Sequence, residues 1–414
     1  MERKKDRSNV KIYFAILLLA GAFLFAGNRI ASSHSRNLVV SDYESELEKQ
    51  VFAKVVKIDS IAPDPDDGSM NIVKFHAAIT MGEQKGNVVQ AVQHAYKKNE
   101  TMPPMVKEKD RVVLGKLSAG GADEWAFENF DRIGQIAVLF SVFLLLLFLL
   151  GGKKGLSTVL SLLFTCLSLF YVYIPGIIAG YNIYGLTVLV CVFIIGISFA
   201  LSGGLNRKSL AAAAGCAGGV VFSGILCKYM ESVMKLTGYY NDESSRLLQI
   251  FGQGQLDLKA LVFAMVTIGA LGSVMDVAMS IASSLSELAH ERVVTRQDLV
   301  KSGLTIGKDI MGTMANTLIL AYIGSSLVMV LIYGASRYPL FQLLNKEEII
   351  IELLQSLVGV MGMLFTIPFT TAASSLLLGR AESAKRRPAS DRRYGESPRG
   401  QKSNGIVTHF RKGA

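Results

Sequence analysis

Between Gly155 and Asn206 the chain carries no charged residue. One membrane-spanning helix needs about 20 apolar residues, so this run is too long for a single helix. Pro175, Gly176 and Asn182 interrupt it near the middle, which predicts two helices at about 155–175 and 183–203. The rest of the composition agrees. Half of the 414 residues are hydrophobic and 18% are charged, against about 25% charged in a typical soluble domain. With a mean hydropathy of +0.38, the chain is neither an ordinary soluble domain nor a disordered one.

Further apolar runs lie at 12–27, 133–152, 209–227, 260–285, 310–333 and 353–378, which brings the expected spans to eight. The first follows Arg3, Lys4, Lys5, Arg7 and Lys11. It reads as an uncleaved anchor rather than a signal peptide, because no small-residue cleavage site follows it. Lys and Arg outnumber Asp and Glu by 43 to 33. Ten of the basic residues lie between Arg380 and Ala414 and five in the first eleven residues. Starting inside, the short connecting segments with Lys153, Lys154, Arg207, Lys208, Arg292, Arg296, Lys301 and Lys308 also fall on the inner side. This bias predicts that both termini are cytoplasmic, and it explains the net charge of +10 without nucleic acid.

The expected fold class is an α-helical polytopic membrane protein of about eight transmembrane helices, with a small extracytoplasmic β-rich, barrel-like domain after the first helix. The expected divisions are a basic N-terminus and anchor (1–28), the extracytoplasmic domain (29–132), a seven-helix bundle (133–379) and a basic tail (380–414). Within 29–132, Tyr43–Lys49 is compatible with a helix, and Val51–Ile58, Ile72–Thr80, Asn87–Val92 and Arg111–Leu117 are strand-like. Turn-forming segments at 63–68 and 82–86 separate some of them. Four or five short strands in so small a domain predict a compact barrel. Asp64, Asp66 and Asp67 suggest a calcium loop, but Pro65 intrudes, Ser69 stands at the sixth position and no Glu at the twelfth, so a solvated turn is expected. His76 and His94 form no metal-ligand pattern. Cys166, Cys191, Cys216 and Cys227 lie in or beside apolar runs and are expected to pack as small hydrophobes. No metal or cofactor is expected.

Asp276 is the one acidic residue deep within a predicted span. A charge at a helix centre costs about 3 kcal/mol to insert, so it points to function. Ser273, Ser280, Ser283, Ser284 and Glu287 share its helical face. Asp309, Thr313 and Asn316 form a second polar stripe, and Thr366, Thr370 and Ser374 a third, around Pro368. The three faces are expected to meet, since lipid leaves polar groups unsatisfied. Such a meeting would be either a relay for a proton or ion or a structural hydrogen-bonded cluster. Gly215 and Gly219 make a GxxxG pair that permits close helix approach. Thr295, with Asp298 three residues on, is expected to cap a short connector.

The segments Gly272–Ser284 and Gly307–Gly324 resemble the YibE/YibF family of bacterial multipass membrane proteins, and the likeness extends over roughly 130–380. It implies a plasma-membrane location. It brings no reaction or substrate; Asp276 and Asn316 fit its motif without an assigned role.

Three classes of function are in play. A transporter or transport-associated protein, acting on an unknown ion or small solute through Asp276, is the expected one. The alternative is a non-enzymatic envelope scaffold or signalling protein whose outer domain binds a partner. A membrane enzyme ranks last: no HExxH occurs, no histidine lies in a predicted span, and Asp276 and Asp309 stand at different depths. No P-loop is present, so the chain is not an ATP-driven pump by itself.

Overall fold

The computed structural model describes residues 2–33, 50–65, 69–96, 104–116, 125–252, 254–291 and 293–379. The expected helix at Tyr43–Lys49, part of the Asp64–Gly68 turn and the basic tail lie outside these residues. Helix α1 (Glu2–Ser33) leads, and five strands follow: β1 (Gln50–Pro63), β2 (Met70–Ile79), β3 (Val88–Tyr96), β4 (Arg111–Lys116) and β5 (Trp125–Phe130). They close into a barrel in the order β1-β2-β3-β5-β4. All pairs are antiparallel except β3 with β5. This is a five-stranded Greek-key barrel of the OB type. The barrel expected from the sequence is therefore present; its fifth strand, β5, starts at the chain's single tryptophan.

Strict alternation builds this barrel. Val73, Phe75, Ala77 and Ile79 of β2 are buried, while Lys74 between them is exposed. Strand β1 is long enough to pair with both β2 and β4, and register shifts at Val55/Lys57 and Ile58/Ser60 let it bend between them. Gln93 is buried, but its amide is satisfied: Nε2 donates to the Pro104 carbonyl (3.1 Å) and Oε1 accepts from the Val106 N–H (2.9 Å). This pair pins the segment before β4 over the barrel core.

The barrel feeds directly into the helices, with Asp131 Oδ1 accepting the Ile133 N–H (3.0 Å) at the junction. Helix α2 (Ile133–Leu167) kinks at Gly152, whose φ of 51° favours glycine. A π-helical segment (Ser168–Tyr173) and the short α3 (Ile174–Ile178) extend it to Pro175 and beyond. Then come α4 (Ile183–Gly203), α5 (Arg207–Val233), α6 (Asp242–Phe251), α7 (Leu258–Glu291), α8 (Arg296–Ser325), α9 (Leu327–Ala335), α10 (Leu340–Leu343) and α11 (Glu347–Leu378). Among the described residues seven helices are long and apolar enough to cross a membrane. An eighth results if α8 and α9, bent by 60° at their junction, count as one span.

Two expectations about connections are corrected. The polar stretch 228–258, between the apolar runs expected at 209–227 and 260–285, begins inside α5, which continues to Val233, and it contains α6. Lys228 and Glu231, three apart on α5, form an ion pair at 3.2 Å, so charge ended the apolar run without ending the helix. Thr295 does cap a helix. Its hydroxyl oxygen accepts the Asp298 N–H and the Asp298 carboxylate accepts the Thr295 N–H, each at 3.2 Å. The helix it starts is the 30-residue α8 rather than a short connector. Of the cysteines, Cys191, Cys216 and Cys227 are buried as expected and Cys166 is exposed.

The bundle centres on α5, α7 and α11, each packed against the other two, with α4 and α8 on the flanks. The portion Ile133–Gly152 of α2 exposes most of its large apolar side chains, Leu139, Phe140, Leu149 and Leu150 among them.

Trp125 is buried in the same cluster as Phe75, so tryptophan fluorescence of the full chain reports on the barrel alone. Phe75→Ala is expected to destabilise the barrel by about 3–5 kcal/mol. The emission shift will come at lower denaturant, while the helical circular dichroism transition stays in place.

Candidate functional site

Helix α7 has two contrasting sides. Val266, Ala270, Val274, Val277, Ala278, Ile281, Ala282 and Leu285 are buried in the bundle core. The opposite side carries Gly269, Gly272, Asp276, Ser280 and Glu287, all exposed, with Ser273, Ser283 and Ser284 half-buried at its margins. Two of the serines satisfy themselves locally: Ser273 Oγ donates to the Ala270 carbonyl and Ser284 Oγ to the Ser280 carbonyl, each at 3.0 Å. Among the described residues Asp276 forms no ion pair.

Helix α8 shows the same separation. Leu299, Gly303 and Gly307 are buried, whereas Asp309, Thr313 and Asn316 are exposed. Thr313 Oγ1 donates to the Ile310 carbonyl at 2.9 Å. The α7 and α8 stripes thus point away from the core.

The third stripe does the opposite. Thr366, Thr370 and Ser374 are fully buried, as are Thr371 and Ser375 beside them. They face glycines. A Cβ added at Gly215 would stand 1.9 Å from Thr370 Oγ1, and one at Gly219 would stand 1.8 Å from Thr366 Oγ1. Reciprocally, a Cβ at Gly362 would stand 1.7 Å from Ser223 Oγ. On the other flank Gly303 and Gly307 of α8 receive Thr371 and Ile367. Helix α11 is therefore held between two glycine-bearing helices at backbone-to-backbone approach. Thr366 Oγ1 donates to the Gly362 carbonyl (2.8 Å). The hydroxyls of Thr370, Thr371 and Ser374 have no hydrogen-bond partner among the described residues.

The expectation that the three polar faces meet is corrected for the α11 stripe, whose Thr366 and Thr370 pack on glycine, whereas the α7 stripe does border α8 and α11 at Gly269, where an added Cβ would stand 3.0 Å from Tyr322 Oη and 3.1 Å from Gln355 Nε2. Thr366, Thr370 and Thr371 of α11 pack on glycine, and Asp276, Ser280, Glu287, Asp309, Thr313 and Asn316 are exposed. Periodicity places residues on one face of a helix; it does not say which partner that face receives.

Two clusters have little or no signature in the sequence. At the end of α5, Lys228 Nζ donates to Tyr184 Oη (2.5 Å) and to both carboxylate oxygens of the buried Glu231 (3.2 and 3.3 Å). The three-residue spacing of Lys228 and Glu231 is the available signal, but charge at both positions gives the stretch the look of a loop. At the other end of α5, Arg207, Lys208 and His290 surround a polar hollow with Glu287 and Ser286. Its signal is weaker, because α5 and α7 supply its residues from far apart in the chain. Among the described residues no group of three or more His, Cys, Asp or Glu side chains is placed to hold a metal.

The family model described as YibE/F-like protein matches residues 139–380, more than half of the chain and the whole of the α4–α11 bundle. No curated protein and no solved structure matches.

The glycine seam and the Lys228 cluster each yield an expected stability change. Gly219→Ala places a methyl 2.9 Å from the Gly362 carbonyl oxygen as well as on Thr366. It is expected to cost about 1–3 kcal/mol, read as a lower Tm in detergent. Gly272→Ala, where nothing lies within 4 Å, is expected to leave Tm unchanged or raise it. Lys228→Met strands Glu231, which is 5% exposed, at an expected cost of about 2 kcal/mol. The double change Lys228→Met with Glu231→Gln should recover most of it in a double-mutant cycle.

Proposed function

The chain belongs to the YibE/F-like protein family, and from that premise we propose that it is a multipass membrane protein that moves an ion or small solute along the Asp276 face of α7. The observation that carries this reading is the placement of Asp276. It sits near the middle of a 34-residue apolar helix, on an outward stripe of glycines and serines. In a bilayer such a face cannot rest against acyl chains, because neither the carboxylate nor the small-residue surface finds a partner there. It marks where the chain meets water or another polar surface. Its small side chains leave room beside the carboxylate for a hydrated solute.

Irregular backbone supports the same reading. The π-helical segment Ser168–Tyr173, the 60° break between α8 and α9, and Pro368 inside α11 each free backbone groups within apolar helices. Transporters use such interruptions to bind ions and solutes. The charge bias favours both termini in the cytoplasm and the barrel outside, and the family resemblance implies a bacterial plasma membrane. The reading assigns the chain no bond-making chemistry, cofactor or metal.

A second reading has its own observation. The barrel exposes Val56, Ile61, Met81 and Val88, each more than half exposed. An envelope scaffold would use such side chains to dock a partner.

Flux in proteoliposomes holding a pH-sensitive dye separates the two. Wild type facing a panel of ions and small solutes is expected to show flux above empty liposomes. Asp276→Asn keeps the shape of the side chain and removes its charge, and it should lower flux at least tenfold with the protein still folded. Equal flux in both proteins removes Asp276 from the path. No flux with any solute turns the reading to the scaffold, for which crosslinking from Val88 in cells is the next measurement.

A further inference from the structure

Two adjoining hollows open at the end of the bundle where α5 begins, and they share Asn206 and Arg207. The first, about 580 Å³, is walled by Arg207 and Lys208 of α5, Ser286, Glu287 and His290 of α7, and Leu378 at the end of α11. The second, about 540 Å³, is apolar and lies between α4 and α5, against Gly196, Phe199, Ala200, Leu205, Leu210 and Ala213. Leu205 and Leu210 are well exposed at its mouth.

Among the described residues the polar hollow has more basic than acidic side chains. Arg207 and Lys208 stand against the single carboxylate of Glu287, and His290 adds a ring nitrogen. Among the described residues none of these four is in a salt bridge. Arg207 Nη1 donates to the Leu377 carbonyl (3.4 Å), which anchors the guanidinium and leaves most of its five N–H donors for a ligand. The N-terminus of the 27-residue α5 lies at the same place, and its dipole adds to the positive potential. The side chain of Asn206 is already engaged in accepting the Ser209 N–H (2.9 Å). A basic hollow would suit any phosphate. A basic hollow continuous with an apolar groove suits an amphiphile.

We propose that Arg207, Lys208 and His290 bind the phosphate of an anionic phospholipid, with one acyl chain lying in the groove between α4 and α5. The assignment rests on the reading that these helices cross a bilayer. By the same charge bias, this end lies at the cytoplasmic leaflet, where anionic headgroups meet basic side chains. A lipid held here would tie the start of α5 to the ends of α7 and α11, the three helices at the centre of the bundle.

The test uses the purified full chain in detergent, with bound lipid counted by native mass spectrometry after titration with phosphatidylglycerol or phosphatidylcholine. Wild type is expected to retain phosphatidylglycerol about thirtyfold more strongly, as two basic side chains near a surface imply. R207Q/K208Q should abolish that preference. K301Q/K308Q, which removes as much charge from α8, should keep it. L210W narrows the apolar groove and leaves the cations alone, so it should weaken retention of phosphatidylglycerol; it also serves if R207Q/K208Q fails to fold. Equal retention of both lipids by wild type overturns the proposal, as does an unchanged preference in R207Q/K208Q. Displacement of phosphatidylglycerol by millimolar inorganic phosphate, with no effect of L210W, shows a site for free phosphate and overturns the lipid assignment. Membrane fractionation of the expressed chain keeps the two readings apart: a chain found outside the membrane fraction defeats the membrane reading itself, whereas a membrane-bound chain without lipid preference defeats this proposal alone.

Discussion

The bundle depends on the contact between α5 and α11, where glycine on one helix admits a hydroxyl side chain from the other. Gly215 and Gly219 accept Thr370 and Thr366, and Gly362 accepts Ser223. Apolar side chains cannot hold helices together in a lipid-like surrounding by the hydrophobic effect, so close packing has to supply the attraction, and small residues allow the backbones to approach. Gly303 and Gly307 of α8 repeat the arrangement on the other side of α11. With α11 clamped in this way, α7 lies across both α5 and α11 and turns its aliphatic face inward.

That arrangement leads directly to the candidate site. A helix has one circumference, and α7 uses half of it on Val274, Val277, Ala278, Ile281 and Leu285. The remaining half carries Asp276, Ser280 and Glu287 and must face outward. The barrel is a separate matter. Its core of Val73, Phe75, Val112, Leu114 and Trp125 is closed within its own strands. It owes nothing to the glycine seam, and the two parts of the chain are built by different kinds of packing.

Much of the architecture is legible in the amino-acid sequence. The apolar runs locate the helices, because a spanning length of apolar residues has few other uses. Alternation locates the strands of the barrel, and Thr295 with Asp298 announces a helix start. Helix ends are less legible: Lys228 and Glu231 look like loop, yet they sit on α5 and pair with each other. The site is legible only in part. Asp276 stands out by its charge, and the stripe around it by its period. The hollow formed by Arg207, Lys208 and His290 does not, since no local pattern links residues on α5 and α7.

The sequence by itself determined where most of the apolar helices lie, the presence of a small β-barrel, and the polar faces of α7, α8 and α11; the span expected at 310–333 is instead the bent pair α8 and α9. Those follow from local periodicity and length, which each segment carries alone. Only the tertiary structure decided which faces meet. The three polar stripes have similar residues and spacing, yet the α11 stripe is buried and the other two are exposed. The reason is steric: glycine on α5 and α8 leaves space for the hydroxyls of α11. Complementarity of shape between distant segments made that choice, and it is a property of pairs of helices that no single helix displays.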